Sequence, residues 1–208
     1  MLPRRQSGLT NKDKGNRNMK DRLLKLTQHE YSPTQRLILL FFAGILFLVL
    51  IPAALISASP PLDQALHLPK LVYAPVNGLL GLLFILAGLS FGLWSNYVQF
   101  TIGRGTPVPI MATQKLIVQP PYSYCRNPMA LGAIVLSLGI AVWLGSLSAL
   151  GMVLLPAICL LVYIKLIEEK EMELRFGADY IEYRRQTPFL IPRFRSSLVH
   201  HKEPNHEA

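Results

Sequence analysis

Long apolar runs alternate with short polar segments along this chain, and these runs set the number of membrane crossings. The first two uncharged runs cover about residues 37–58 and 71–94. A third apolar stretch, about residues 129–167, is too long for one crossing, and Gly145 and Ser146 divide it into two. A helix of about 20 apolar residues crosses the hydrocarbon core. The pattern therefore predicts an all-α polytopic membrane protein with about four transmembrane helices.

The polar segments divide the chain into four predicted regions. Residues 1–36 form a basic arm that either ends in a short interfacial helix or is plainly disordered. Residues 37–94 carry the first two spans, joined by a loop that we expect from Ser59 to Lys70. Residues 95–193 comprise a loop rich in glycine and proline, a helical hairpin and a charged C-terminal segment. Residues 194–208 are expected to be a disordered tail.

Glycines recur in the second predicted span, at positions 78, 81, 88 and 92. Small residues at such spacings let helix backbones approach closely in lipid, where dispersion and packing drive association. The glycine spacing therefore allows this span to pack closely against another helix, within the chain or in a second copy.

The charges agree with this topology and give it an orientation. The formal net charge is +9, and no acidic residue lies between Asp63 and Glu168. Four spans place both termini and the 95–127 loop on one side, which then carries every Lys and Arg except Lys70. Because positive loops face the cytoplasm, we expect the termini and the functional region there. No motif of the known nucleic-acid-binding modules occurs, so the basic charge does not indicate nucleic-acid binding.

Cysteine and histidine usage indicates neither a disulfide framework nor a metal site. Cys125 and Cys159 have no metal-ligand spacing. The histidines at positions 200, 201 and 206 fit a disordered tail better than a metal site. The first apolar run is too long and too distant from the N-terminus for a signal peptide, so we expect it to remain as an anchor.

Two segments that carry reactive side chains flank the predicted hairpin and so emerge at the same membrane surface. In the first, residues 120–129, Arg126 offers a planar fork for a carboxylate, and Tyr122 and Tyr124 offer rings and hydroxyls for an adenine. In the second, residues 168–183, Glu168 and Glu169 offer acceptors for hydroxyl, amino or sulfonium groups. Each feature also has an ordinary alternative: a snorkelling arginine, interfacial tyrosines or a solvated helix face.

In the order and spacing of these residues, the chain resembles the isoprenylcysteine carboxyl methyltransferases and the related membrane phospholipid methyltransferases. The resemblance covers about residues 100–193, while the N-terminal half is similar only in being membrane spans. The matching positions are Tyr122, Arg126, Pro128, Gly132, Glu168, Glu169, Phe176, Gly177, Tyr180, Tyr183, Pro188 and Pro192.

The resemblance implies an S-adenosylmethionine-dependent methyltransferase that acts at the bilayer surface on a lipidic or prenylated acceptor. Glu168 is a candidate catalytic residue. Lys165, one turn earlier, could hold an acceptor carboxylate and so is a second candidate, although an interfacial anchor is an equally good interpretation of it. The implied cofactor-binding residues are Tyr122, Tyr124, Arg126, Asn127, Pro128, Gly132, Glu168 and Glu169. The acceptor atom, whether oxygen, nitrogen or sulfur, stays open.

The chain departs from the family pattern at three positions. Asn127 replaces the usual histidine, Ala130 replaces an aromatic residue, and Lys165 stands nearest to an arginine found in some members. Asparagine exchanges hydrogen bonds but does not accept a proton, so the change is mild for a binding role and serious for a general base.

Two alternative functions and one weaker site remain open from the sequence. An NADPH-dependent lipid or sterol reductase would use Arg184 and Arg185 for a 2′-phosphate. A non-enzymatic accessory membrane protein would need no nucleotide-type ligand. The Gly103–Pro107 stretch could supply backbone amides to the pocket, although a plain turn is the better interpretation.

Overall fold

The computed structural model describes residues 32–71, 73–103, 113 and 115–193, and every regular element within these ranges is helical. The predicted basic arm up to residue 31, the disordered tail and most of the Gly103–Pro107 stretch lie outside the described residues. The helices are α1 (Pro33–Ile45), α2 (Ile51–Ala65), α3 (Val76–Thr101), α4 (Pro128–Leu144), α5 (Leu147–Tyr163), α6 (Glu169–Phe176) and α7 (Ala178–Gln186). Two π-helical turns, Leu46–Leu50 and Ile164–Glu168, join α1 to α2 and α5 to α6.

Three helical stretches of the described chain are long and apolar enough to cross a membrane: Thr34–Ala65, Val76–Thr101 and Leu147–Phe176. The fourth apolar helix, Pro128–Leu144, is shorter. Many large apolar side chains on these helices are exposed, including Leu79 at 69% and Leu155 at 69%. Such a surface is stable only against lipid or another apolar phase. The prediction of an all-helical polytopic membrane protein is confirmed.

The first long helix begins at a capping box and continues past the predicted start of its loop. The Ser32 hydroxyl accepts a hydrogen bond from the Gln35 amide, and the Gln35 side chain accepts one from the Ser32 amide. We expected a loop from Ser59, but α2 includes Pro60 and Pro61 and ends at Ala65. That prediction was wrong because proline has a helical φ angle, and two prolines near a helix end remove few backbone hydrogen bonds.

α3 also begins and ends later than the second predicted span. It continues to Thr101, beyond the expected end at Trp94, although its last turns contain polar residues. The side chains of Ser95, Asn96 and Thr101 each donate to the carbonyl four residues earlier, at 2.6, 3.0 and 2.7 Å. These bonds give the polar side chains donor contacts to the helix backbone, so polarity alone does not end the helix here.

α3 and α4 are antiparallel and touch through backbone rather than through large side chains. On each helix two contacting glycines lie seven residues apart, Gly81 and Gly88 on α3 and Gly132 and Gly139 on α4. This spacing is close to two helical turns, so each pair lies on one face. A methyl group built on Gly139 would lie 2.6 Å from the backbone nitrogen of Ile85. The predicted close packing of the glycine-rich span is confirmed.

The end of the helical bundle remote from residues 120–128 is held by polar bonds between helices. The Asp63 carboxylate accepts from the backbone amide and the hydroxyl of Ser148, at 2.9 and 2.5 Å, and so joins α2 to α5. The Asn77 amide donates to the Trp143 carbonyl at 2.9 Å. Gly145, with φ 63°, forms the turn between α4 and α5, as the sequence predicted.

The apolar core lies beside these bonds, where α2 packs against α4 and α5. Its buried members are Leu55, Ile140, Ala141, Ala149 and Val153. α1 contributes no residue to this core, and its side chains at positions 37, 38, 41 and 42 are all exposed. Helices α2, α3, α4 and α5 are therefore packed together at the end of the bundle that contains Asp63 and Gly145. At the opposite end, α1 adds little to the packing.

Replacement of Gly139 by alanine should destabilise the protein by about 1–3 kcal/mol, because the added methyl group overlaps the α3 backbone. The matched control is Gly151→Ala in α5, where the methyl group would meet nothing within 4 Å. Thermal unfolding in detergent micelles measures both variants. Equal midpoints for the two variants would contradict the glycine-mediated contact.

Candidate functional site

The start of α4 and the segment after α7 lie side by side and are joined by hydrogen bonds. The Arg126 backbone amide donates to the Pro188 carbonyl at 2.9 Å, and the Arg193 amide donates to the Tyr124 carbonyl at 3.0 Å. The Asn127 side-chain amide donates to the Phe189 carbonyl at 2.9 Å. The residues after α7, which lie beyond the predicted 168–183 segment, therefore pair with the 120–129 segment.

Beneath this pairing, one buried carboxylate contacts two cations. Arg126 Nη1 lies 3.0 Å from Glu169 Oε1, and Lys165 Nζ lies 3.0 Å from Glu169 Oε2. The side chains of Arg126 and Glu169 are only 7% and 6% exposed, while that of Lys165 is 54% exposed. We call these three residues the Arg126–Glu169–Lys165 cluster. Two cations with one anion give it a net charge of +1, which favours a further negative group.

The cluster has buried hydrogen-bonding capacity that the described residues leave unused. Arg126 Nη1 and Glu169 Oε1 are in contact as charges, but their alignment does not form a hydrogen bond, and Arg126 Nε also has no partner there. A buried polar atom without a hydrogen bond costs free energy, so such atoms usually mark the place of a ligand or water. The unused atoms comprise donors on Arg126 and an acceptor on Glu169.

The π-helical turn Ile164–Glu168 decides which glutamate of the pair faces inward. The inward face of α5 carries Ala149, Val153 and Ala157, and it continues to Ile164. Another step of four residues would bury Glu168, but the π turn contains one extra residue per turn, so Glu169 becomes the buried acid. Glu168 is exposed and has no ion pair within the described part of the chain.

Two aromatic residues complete the surroundings of the cluster. The Phe189 ring centroid lies 5.1 Å from Lys165 Nζ and 5.7 Å from Arg126 Cζ, within cation–π distance of both. Tyr180 lies near Arg126 and Glu169, and burial together with the charge of Glu169 raises the pKa of the Tyr180 hydroxyl to about 12. This hydroxyl is therefore protonated and neutral at physiological pH.

The predicted tyrosines lie near the cluster but point elsewhere. The Tyr122 hydroxyl donates to Gln99 on α3 at 2.9 Å, and its carbonyl accepts from the Tyr183 hydroxyl at 2.7 Å. Burial and the charge of nearby Glu168 raise the pKa of Tyr122. The Tyr124 ring packs edge-on against Trp94 at 6.1 Å. These contacts hold residues 120–127, which we call the 120s loop, against α3 and α7.

Pro128 and Gly132 have packing positions in this structure. Pro128 is fully buried as the first residue of α4, where its missing amide hydrogen costs nothing. Gly132 lies against Gly92 and Gly88 in the α3–α4 contact. Their implied role in cofactor binding stays a prediction, and the described contacts support it only through placement of the loop.

The structure thus brings together Arg126, Lys165 and Glu169, with Asn127 directly beside them. Tyr180 and Phe189 were not among the predicted site residues. A signal for Tyr180 was present, because it is one of the positions that match the family pattern. No local pattern indicates Phe189, which reaches the cluster through the course of the chain after α7.

Replacement of Glu169 by glutamine should destabilise the protein by about 3 kcal/mol, because two cations then lose their shared buried counter-ion. Glu168→Gln is the matched control, since an exposed substitution of this kind changes stability by less than about 0.5 kcal/mol. Thermal unfolding in detergent at neutral pH compares them. A larger loss for Glu168→Gln would show that the inward acid had been assigned wrongly.

Comparison with known proteins identifies the family of the chain. A search of curated proteins finds no match to the chain. A family model described as phospholipid methyltransferase matches residues 76–179, which is half of the chain and extends from the start of α3 into α7. The match confirms the resemblance, since this family lies within the isoprenylcysteine carboxyl methyltransferase-like group. The matched region includes α3 and ends at residue 179, so it begins and ends earlier than residues 100–193, to which the sequence resemblance was assigned. The chain belongs to the phospholipid methyltransferase family of membrane proteins.

Proposed function

We propose that the protein is an S-adenosylmethionine-dependent integral membrane methyltransferase that acts on a lipidic or prenylated acceptor at the bilayer surface. The observation that supports this most is the buried Arg126–Glu169–Lys165 cluster, with unused donors on Arg126 and an unused acceptor on Glu169. S-adenosylmethionine has a carboxylate and an ammonium group on the same carbon atom. Those two groups are complementary to the unused atoms of the cluster.

In this proposal each residue of the cluster has a defined task. Arg126 donates to the cofactor carboxylate, and Glu169 accepts from its ammonium group while it keeps Lys165 in place. The bound cofactor supplies an electrophilic methyl group on a sulfonium sulfur. Fixed charges around the site hold the reactants in line and need no rearrangement during transfer.

Glu168 and Lys165 are the proposed catalytic residues on the exposed side of the cluster. Glu168 is an exposed carboxylate, and it can accept a proton from an amine or hydroxyl acceptor. Lys165 is half-exposed and can hold a negative group of the acceptor. A carboxylate acceptor would need no base, so loss of Glu168 would then matter little. The Glu168→Gln variant therefore separates these acceptor classes.

The proposed orientation places the site and both termini on the cytoplasmic side. Pro33 at the start of α1, the 120s loop and the segment after α7 belong to the same end of the bundle, opposite Asp63 and Gly145. Basic residues are concentrated at that end. The positive-inside rule supports the assignment.

The described residues support the alternative function, an NADPH-dependent reductase, less well than a methyltransferase. Arg184, which would bind a 2′-phosphate, is already paired with Glu173, and Arg185 is 75% exposed on the outer side of α7 near Glu182. Neither contacts the Arg126–Glu169–Lys165 cluster. The family match favours methyl transfer over hydride transfer.

Cofactor binding tests the proposal directly. Detergent-purified protein should bind S-adenosylmethionine saturably, and Arg126→Lys should weaken binding at least about tenfold, because lysine keeps the charge but lacks the bidentate fork. Arg185→Ala is the matched control and should bind as the unchanged protein does. Isothermal titration calorimetry measures the affinity for S-adenosylmethionine of the unchanged protein and of both variants, with NADPH as a competitor. Absence of binding in folded protein, or competition by NADPH with sensitivity to Arg185→Ala, would contradict the proposal.

Acceptor classes are then compared in proteoliposomes with methyl-labelled cofactor. We expect label to enter either an amine-headgroup phospholipid or a prenylated cysteine peptide. A soluble headgroup analogue without an apolar chain should receive none. Glu168→Gln should reduce transfer to the amine by at least about a hundredfold and transfer to a carboxylate much less. Transfer to the soluble analogue at the same rate would contradict an acceptor held in the bilayer.

A further inference from the structure

Asn127 has an unusual set of contacts for its position. It lies directly before α4, at the N-cap, where asparagine is among the most favourable residues because its side chain can accept from the first helical amides. Here its side chain makes no such bond. The amide instead donates to the carbonyl of Phe189, 62 residues later in the chain, at 2.9 Å.

The residue that Asn127 holds is the one whose ring touches both cations of the cluster. The Phe189 ring lies 5.1 Å from Lys165 Nζ and 5.7 Å from Arg126 Cζ. The preceding carbonyl, that of Pro188, is held by the backbone amide of Arg126. The carbonyls of Pro188 and Phe189 therefore accept hydrogen bonds from Arg126 and Asn127 in turn. The bond from Asn127 is the one nearest to the Phe189 ring.

We infer that Asn127 is a positioning residue, which acts on the cofactor site through the Phe189 carbonyl and ring and neither accepts a proton nor carries the chemistry itself. This inference rests on the proposed function for its ligand. The bond fixes the ring against Lys165 and Arg126, and so limits the orientations of the two side chains that are to bind the negative end of the cofactor.

A hydrogen-bond donor at position 127 is compatible both with asparagine and with the histidine of the family pattern that the sequence resembles. A neutral imidazole ring N–H can donate to a carbonyl as the asparagine amide does. Both residues can therefore hold the Phe189 carbonyl, although only histidine can also take up a proton. The departure from the family pattern then leaves the site intact, because the shared property is a hydrogen-bond donor.

Aspartate is the most informative replacement at this position. It has nearly the same shape as asparagine but, when ionised, has no hydrogen to donate and repels the Phe189 carbonyl. It is also an excellent N-cap, so α4 itself should not be weakened. Asn127→Asp should weaken S-adenosylmethionine binding by about tenfold, while Asn127→His should stay within about twofold of the unchanged protein.

The chain provides a matched control at the other end of the bundle. The Asn77 amide also donates to a backbone carbonyl at 2.9 Å, that of Trp143. Asn77→Asp therefore removes the same kind of bond far from the cluster. It should lower the midpoint of thermal unfolding but leave cofactor affinity unchanged. Equal loss of affinity in the two variants would reduce the role of Asn127 to general stability and overturn the inference.

A double-mutant cycle distinguishes positioning from direct contact. If Asn127 acts through the ring, Asn127→Asp should add little to the loss of affinity already caused by Phe189→Ala. Independent, additive losses would mean that residue 127 acts on the ligand without the ring, by contact or through the charge of the introduced aspartate, and would overturn the inference. Normal affinity in Asn127→Asp would overturn it as well.

One measurement without ligand separates failure of this inference from failure of the proposed function. Hydrogen exchange at the backbone amides of Arg126 and Arg193, which pair the two segments, should be faster in Asn127→Asp than in Asn77→Asp. If the unchanged protein binds no S-adenosylmethionine but this difference is present, the cofactor is wrong and the positioning role is retained. No difference in exchange would overturn the positioning role.

Discussion

A carboxylate at the end of a membrane helix needs cations around it, and in this protein that requirement acts on Glu169. Burial of this side chain without Arg126 and Lys165 would cost several kcal/mol. The cations come from different parts of the chain, Lys165 from the same helix and Arg126 from the start of α4. Phe189 covers them from a third segment. The ion pairs therefore require the hairpin and the C-terminal segment to meet at one place, and this meeting creates the site.

The glycine contact between α3 and α4 gives the site its rigid base. Because Gly88 and Gly132 bring the two backbones together, the loop between the helices leaves and re-enters the membrane at neighbouring points. Tyr122 then reaches Gln99 near the end of α3, while Arg126 lies directly before α4. Substitutions in the middle of the bundle are thus coupled to the site through helix separation, although they contact no residue of the cluster.

Sequence reasoning predicted the helical class, the turn at Gly145 and the meeting of Arg126 with the acid pair, because each depends on hydropathy, glycine conformation or order along the chain. It was wrong where side chains satisfy polarity locally, as at the end of α3, and where Pro60 and Pro61 continue a helix. It also could not choose between Glu168 and Glu169. That choice depends on a π turn, which no periodic pattern of the sequence indicates.

The bond between Asp63 and Ser148 has a consequence for the timing of assembly during synthesis. The donors for this carboxylate lie 85 residues later in the chain, at the start of α5. At about 5–20 residues per second, the ribosome needs roughly ten seconds to produce them. Throughout that interval, α2 has neither its polar partner nor the α5 surface on which Leu55 packs. α2 therefore reaches its final packing only after the start of α5 has been made.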